Sequence, residues 1–420
     1  MSWGEYDGLS GSFAAACRAA DEREHAKERA ENERRRQQAN GSSEESVPPT
    51  ISATPFAWRD PATIPPRAWI YGKHYIRKFL TCIVGLGGGG KTSELIAEAL
   101  AMATGRPLLG ITPAQRARVW IWNGEDPAEE IDRRIIAAMI QHEIKPEDIE
   151  GYLFRDTGRE TPLVIATQSR NGTVIARPVV DGIIAEIKRK QIDVLIVDPF
   201  VKSHKVTEND NNAIDQIASE WAAIADICNC SIELSHHSRK TNGAEVTVED
   251  TRGASALVNA SRSARVLNKM SKEEAKSAYL EEVTAWRYYR VDNGKANMAP
   301  PPESAQWYRL ASVRLANGDD VGAATSWTWP NAFDGVSPHN LRMAQQAVSQ
   351  GGPWRVNHQA KTWVGKPIAQ ALGLDPVKDR KRIITILDIW IENEMFVVVE
   401  GKGEDRKTTS FVEVGKRADT

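Results

Sequence analysis

Phe79-Leu80-Thr81-Cys82-Ile83-Val84-Gly85-Leu86-Gly87-Gly88-Gly89-Gly90-Lys91-Thr92 joins a short apolar run to a match for GxxxxGK[ST]. The apolar run has the length of a buried strand, and Ser93 to Leu100 carries a helical pattern. Strand, glycine loop, helix is the context that a phosphate-binding loop requires, whereas a flexible glycine linker would need neither flank. Gly85, Gly87, Gly88, Gly89 and Gly90 let the backbone wrap closely around a polyphosphate, and the amides at the helix start, Ser93 included, offer it partial positive charge. In this arrangement Lys91 reaches the β- and γ-phosphates and the Thr92 hydroxyl holds Mg²⁺, so ATP and Mg²⁺ are the expected ligands.

Working outward, Ile192-Asp193-Val194-Leu195-Ile196-Val197-Asp198 is a second apolar strand, and it ends in a carboxylate. After a P-loop, that is the Walker B pattern, in which Asp198 binds Mg²⁺ through water. A third strand, Ala117 to Asn123, runs into Gly124-Glu125-Asp126-Pro127. Ligand chemistry gathers at the carboxyl ends of parallel strands, which aims Glu125 at the γ-phosphate, where it can orient or deprotonate the attacking water. Asp126 is expected to cap the helix that starts at Pro127. AAA+ ATPases place their catalytic glutamate directly after the Walker B aspartate, where this chain has Pro199. RecA-like ATPases carry it where this chain has Glu125, so the expected core is RecA-like α/β with a mainly parallel central sheet.

The strand Ser231 to Ser235 leads into His236-His237-Ser238-Arg239-Lys240, a place for a polar γ-phosphate sensor. Zinc held by His236, His237 and His204 is the competing reading, and it lacks further ligands at suitable spacing. Lys202 and Lys205 after Asp198, with Arg239 and Lys240 at the root of the loop Thr241 to Thr251, are candidates to line a nucleic-acid channel.

From about Trp58 to Leu315 the chain resembles the RepA-type hexameric replicative helicases of plasmids and phages, a RecA-fold group. The resemblance is carried, in family order, by GGGGKT, Glu125-Asp126-Pro127, the LIVD strand and HHSRK. Arg252-Gly253-Ala254-Ser255-Ala256-Leu257 through Arg262, Gly294-Lys295-Ala296-Asn297 and the strand at Trp307 complete it. It implies Glu125 as the catalytic carboxylate, His237 as the sensor and Arg262 as an arginine finger reaching a neighbouring subunit. Arg252, Arg290 and Lys295 are secondary candidates for that trans contact. From the residues alone, Arg262 is an arginine beside the strand Ala264 to Leu267, where a surface salt bridge is the ordinary expectation. The family further implies a homo-oligomer, a hexameric ring acting on single-stranded DNA. A loader or regulator of replication or recombination, and an ATP-driven assembly switch, are the other function classes open to the same core.

Composition limits the rest. The 420 residues carry a formal net charge of −2 with 26% charged residues, so no global field draws the chain to nucleic acid. Cys17, Cys82, Cys228 and Cys230 show no paired CxxC spacing, as expected of free thiols in a reducing compartment, and no apolar run is long enough for a membrane span, so a cytoplasmic location is expected. Residues 1–52 form a charged tail and linker, with Arg34-Arg35-Arg36 in a run of Glu, Arg, Ala and Lys. Phe56 to Tyr75, rich in proline and aromatics, is expected to pack on the core or border the nucleotide base. The ATPase core is expected over 53–340. After Gly351-Gly352-Pro353, residues 351–420 show the order helix, turn, helix, hairpin, as in a winged-helix domain. Arg380, Lys381 and Arg382 at the start of its long helix and Lys402 in the wing are candidate DNA contacts, with docking of replication proteins as the alternative use.

Overall fold

A computed structural model describes residues 26–27, 52–170, 172–238, 245–250, 255–300, 305–402 and 408–418. The chain divides into two compact units, Met1–Pro66 and Arg67–Thr420. In the first, Phe56 and Trp58 are 89% and 75% exposed. The stretch Phe56 to Tyr75 is divided between the two units, and its part from Arg67 onward belongs to the second. There Trp69–Tyr71 and Tyr75–Ile76 pair as a small antiparallel ribbon with Tyr71 and Tyr75 buried. Arg34, Arg35 and Arg36 lie outside the described residues, as do Arg239, Lys240 and Arg252.

The second unit is built on a nine-stranded sheet. In chain order its strands are β1 (Leu80–Gly85), β2 (Val119–Asn123), β3 (Leu153–Thr157), β4 (Val194–Asp198), β5 (Ser231–His237), β6 (Ser263–Lys269), β7 (Tyr288–Ala296), β8 (Gln306–Arg314) and β9 (Asp320–Ser326). They lie side by side as β9-β8-β7-β6-β1-β5-β4-β2-β3. The six from β6 to β3 run parallel, and β7 to β9 extend the sheet as an antiparallel meander. This large, mostly parallel sheet fits a P-loop NTPase core.

The central strands β1, β2 and β4 are apolar on both faces apart from Thr81 and the polar residues that end β2 and β4, as suits strands covered on two sides. Val84, Leu195, Val197 and Trp122 face α3 (Arg177–Lys190) and α4 (Asn211–Cys228), while Ile83, Ile121, Val194 and Ile196 face α1 (Lys91–Thr104) and α2 (Ala128–Gln141). The α1 face also encloses charge. Arg265 on β6 makes a two-pronged pair with Glu98 of α1 at 2.5 and 2.8 Å, and Tyr75 donates to Glu98 at 2.6 Å. Arg265 and Glu98 are nearly sealed from water, so removing one partner strands the other's charge. Glu98→Ala is expected to cost about 3–5 kcal/mol of stability, read as a fall in the thermal midpoint.

Beyond the sheet, α5 (Pro338–Ser349), α6 (Gly365–Leu372) and α7 (Arg380–Glu392) pack with the hairpin of β10 (Phe396–Lys402) and β11 (Thr408–Val414). Ala344 and Val348 of α5 share one apolar cluster with Trp363, Ile383, Leu387 and Phe396. So α5, which lies before the Gly351-Gly352-Pro353 break, is packed with the elements after it. The backbone at Arg355 bridges Trp363 and Phe411, adding a short extended segment beside the hairpin.

Candidate active site

The strand order decides what meets the P-loop. Because β5 lies between β1 and β4, its last residue, His237, falls opposite Gly85, and on the next pairing Asp198 falls opposite Asn123. Lys91, Thr92, Glu125, Asp198 and His237 therefore belong to one edge of the sheet, at the carboxyl ends of the strands.

The loop takes its shape from its glycines. Gly90 has φ +102°, outside the range of L side chains, and a Cβ on Gly89 would come within 2.9 Å of the Leu86 carbonyl oxygen. The loop curls around Lys91, whose ammonium donates to the carbonyls of Gly85 (2.7 Å) and Leu86 (3.0 Å) and to Nδ1 of His237 (3.1 Å). An ammonium can only donate, so Nδ1 accepts and the imidazole is neutral with its proton on Nε2. Burial and the neighbouring Lys91 charge both depress the His237 pKa, in keeping with that form. Thr92 Oγ1 donates to Asp198 Oδ2 at 2.6 Å. This pair of hard oxygens fits Mg²⁺, which takes one or two protein oxygens and completes its shell with phosphates and water. Ser93 instead donates its hydroxyl to the Gly322 carbonyl at 3.1 Å, leaving its amide at the helix start.

Burial holds the Lys91 pKa down to about 8 from 10.5, against the pull of Asp198 and Glu125. In the free protein the buried ammonium is destabilising below pH 8, and that penalty disappears as the amine deprotonates between 8 and 10.5, so the Lys91 contribution to stability rises with pH there. Bound phosphate reverses the shift. ATP binding above pH 8 is expected to take up protons and to weaken as pH rises, measurable by calorimetry in buffers of different ionisation enthalpy; Lys91→Ala should abolish the uptake.

Glu125 is exposed at the head of a turn after β2, where its charge acts on both Lys91 and His237. Asp126 does not cap the following helix. Pro127 occupies the cap position of α2, and the Asp126 carboxylate pairs with Arg134 at 3.2 Å. The turn is held instead by Asn123, whose Oδ1 accepts the amides of Glu125 (2.9 Å) and Asp126 (2.8 Å). Sequence reasoning passed over Asn123, although an asparagine two residues before a strand-end glutamate is a local turn signal.

Arg262 lies elsewhere. Its amide donates to the Leu80 carbonyl at the start of β1, so it sits at the amino edge of the parallel strands, on the order of 16 Å along β1 from the P-loop at ~3.3 Å per residue. Its guanidinium is exposed over the Phe79 ring at 5.6 Å. Lys295 joins it there, opposite Ala264, and donates to the carbonyls of Val258 and Asn259 at 2.8 and 2.9 Å. Arg290 is a poor candidate for a trans contact. It is 9% exposed and its guanidinium is held by Glu245, Glu274 and Asp292.

Among the other candidates, Lys202 and Lys205 are exposed after Asp198, and Arg380, Lys381 and Lys402 are exposed on the C-terminal elements. Arg382 is turned inward, donating to the carbonyls of Ala332 (2.9 Å) and Asp334, so it is removed from the candidate DNA contacts. His204 and His236 pack around Phe200, with ring centroids 4.8 and 6.2 Å away, while His237 faces Lys91. Among the described residues no group of three His, Cys, Asp or Glu is placed to hold a metal ion, and none of the helices is long and apolar enough to cross a membrane.

Residues 44–243 match the family model described as an AAA domain. The match takes in the P-loop, Glu125, Asp198 and His237, and ends before Arg262, Arg290 and Lys295. It supports an ATPase of the P-loop type, with nucleotide binding and hydrolysis as its general chemistry. Pro199 stands where AAA+ proteins carry a carboxylate after the Walker B aspartate, and the charge of Glu125 acts on Lys91. No curated protein matches the sequence.

Proposed function

We propose that the chain is an ATP-hydrolysing ring motor that translocates on single-stranded DNA, a replicative helicase of a phage, plasmid or other mobile element. One observation carries this reading beyond ATP hydrolysis. The P-loop cluster and the free cation Arg262 stand at opposite edges of one sheet, so Arg262 cannot serve its own phosphate site and suits a neighbour's. An edge that binds nucleotide and an opposite edge that presents an arginine make a head-to-tail pair, and repeated head-to-tail contacts form a ring when the rotation between neighbours closes, or an open filament when it does not. Six subunits come from the RepA-type resemblance.

In the mechanism proposed, the loop amides and Lys91 hold the β- and γ-phosphates. Glu125 orients the attacking water and takes its proton, and the neighbour's Arg262 meets the charge that develops on the transferred group. Thr92 and Asp198 would hold Mg²⁺, which would supply charge neutralisation for the phosphates. His237 accepts from Lys91 through Nδ1, which leaves its Nε2–H to donate to the γ-phosphate as the sensor. The order of α5, extended segment, α6, α7 and hairpin supports a winged-helix domain, with Arg380 and Lys381 on its exposed basic start.

ATP hydrolysis measured with and without oligo(dT), followed by strand displacement on a forked duplex, tests the reading. A rate that DNA does not raise would leave an assembly switch; stimulation without displacement would leave a loader or regulator. Arg380→Glu with Lys381→Glu is expected to keep basal hydrolysis, weaken duplex binding and flatten its salt dependence by about two units of slope. An unchanged slope in a filter-binding series would assign the module to protein docking.

A further inference from the structure

The turn that carries Glu125 is wedged between two other segments. Asn123, 3% exposed between Thr157 and Asp198, holds the amides of Glu125 and Asp126 on its side chain and accepts the Gly158 amide on its carbonyl at 2.8 Å. Gly124 donates its amide to the Asp198 carbonyl at 2.9 Å. A Cβ on Gly124 would lie 2.4 Å from Cβ and 2.8 Å from Cγ of Lys202, and 2.9 Å from Cη2 of Trp122. The bare face of Gly124 is therefore what allows the Lys202 stem to lie directly on the turn. Lys202 itself belongs to the short helical turn Phe200–Ser203, whose end residues are buried. Ser203 Oγ donates to the Phe200 carbonyl at 2.7 Å and accepts from Trp221 Nε1 at 3.4 Å. Lys202 is exposed, and its stem lies against a turn fixed by hydrogen bonds on three sides.

We propose that Asn123 and Gly124 are positioning residues that seat the Glu125 carboxylate, and that the Lys202 stem on Gly124 makes hydrolysis respond to nucleic-acid phosphate held by the Lys202 ammonium. The proposal rests on the DNA-dependent ATPase reading above. The stem meets backbone at Gly124 with no soft side chain between, so a shift of the stem when the ammonium is held presses on or releases the turn. Displacements well under 1 Å at Glu125 change the alignment of the attacking water, and a misplacement of about 1 Å costs on the order of 10²-fold in rate.

The test uses the full chain and measures ATP binding, kcat and KM with and without saturating oligo(dT). Asn123→Ala is expected to bind ATP like the parent with kcat lowered about 10²-fold and KM little changed. Asn123→Asp keeps an acceptor oxygen at the same place and should restore most of the rate, a rescue that a merely structural role does not predict. Gly124→Ala should bind oligo(dT) but lose the rise in kcat that it produces. Lys202→Ala, which removes the stem without crowding the turn, should lose it too and serves if Gly124→Ala does not fold. Parental kcat in Asn123→Ala overturns the positioning role. Parental stimulation in Gly124→Ala or Lys202→Ala overturns the coupling. A parent that hydrolyses ATP but gains nothing from oligo(dT) overturns the functional reading and the coupling together, while the Asn123 comparison still decides the positioning role.

Discussion

Glu125→Gln is expected to bind Mg-ATP as the parent does and to hydrolyse it about 10²–10⁴-fold more slowly, the usual range for losing a general base. The amide has nearly the shape of the carboxylate, and the turn is held by the backbone amides of residues 125 and 126 on Asn123, which the substitution leaves alone. Thr92 and Asp198 are likewise untouched, so the proposed metal site persists. The substitution removes one of the two negative charges that raise the proton affinity of Lys91, so the pH at which ATP affinity begins to fall should move down. Single-turnover hydrolysis beside equilibrium binding of a fluorescent ATP analogue separates the two effects. Hydrolysis at the parental rate would remove Glu125 from the catalytic role.

The second large effect is expected at Arg262. Arg262→Ala should bind ATP and lose about 10³-fold or more in turnover, the range of arginine fingers in related phosphoryl transfer. Among the described residues the side chain has the Phe79 ring beneath it, a contact worth about 0.5–1 kcal/mol at an exposed site, too little for its loss to unfold the protein. A large loss of rate with a small change in stability therefore points to a partner subunit. Mixing settles the geometry. Under the proposed ring, Arg262→Ala and Lys91→Ala proteins should each hydrolyse little ATP alone, but a mixed ring would contain interfaces where an intact P-loop meets an intact Arg262. Some activity should return, peaking at intermediate mixing ratios, and it should be small if several adjacent interfaces must fire in turn. Parental hydrolysis by Arg262→Ala alone would end the trans assignment and pass it to Lys295, whose ammonium stands at the same edge.

The sequence by itself determined the motif pattern of this protein, that of a P-loop ATPase. A run of glycines before Lys91-Thr92, an apolar strand ending at Asp198 and another running into Glu125 are covalent neighbours whose spacing and backbone demands are fixed within a few residues. The central strands β2 and β4 were legible for the same reason, since strands covered on both faces read as nearly continuous apolar runs. Which of these pieces meet was decided by the tertiary structure. Inserting β5 between β1 and β4 is a matter of long-range pairing, and it alone sets His237 against Lys91. The fates of individual cations also depended on what folds around them: three carboxylates engage Arg290, two carbonyls engage Arg382, and Arg262 keeps an open face. The place of α5 beside the C-terminal elements rested on which apolar faces remain to be covered once the sheet is complete. The bare face of Gly124 under Lys202 was hidden for the same physical reason, because a close approach between residues far apart in the chain leaves no periodicity or spacing to read, only a residue too small for anything else to fit.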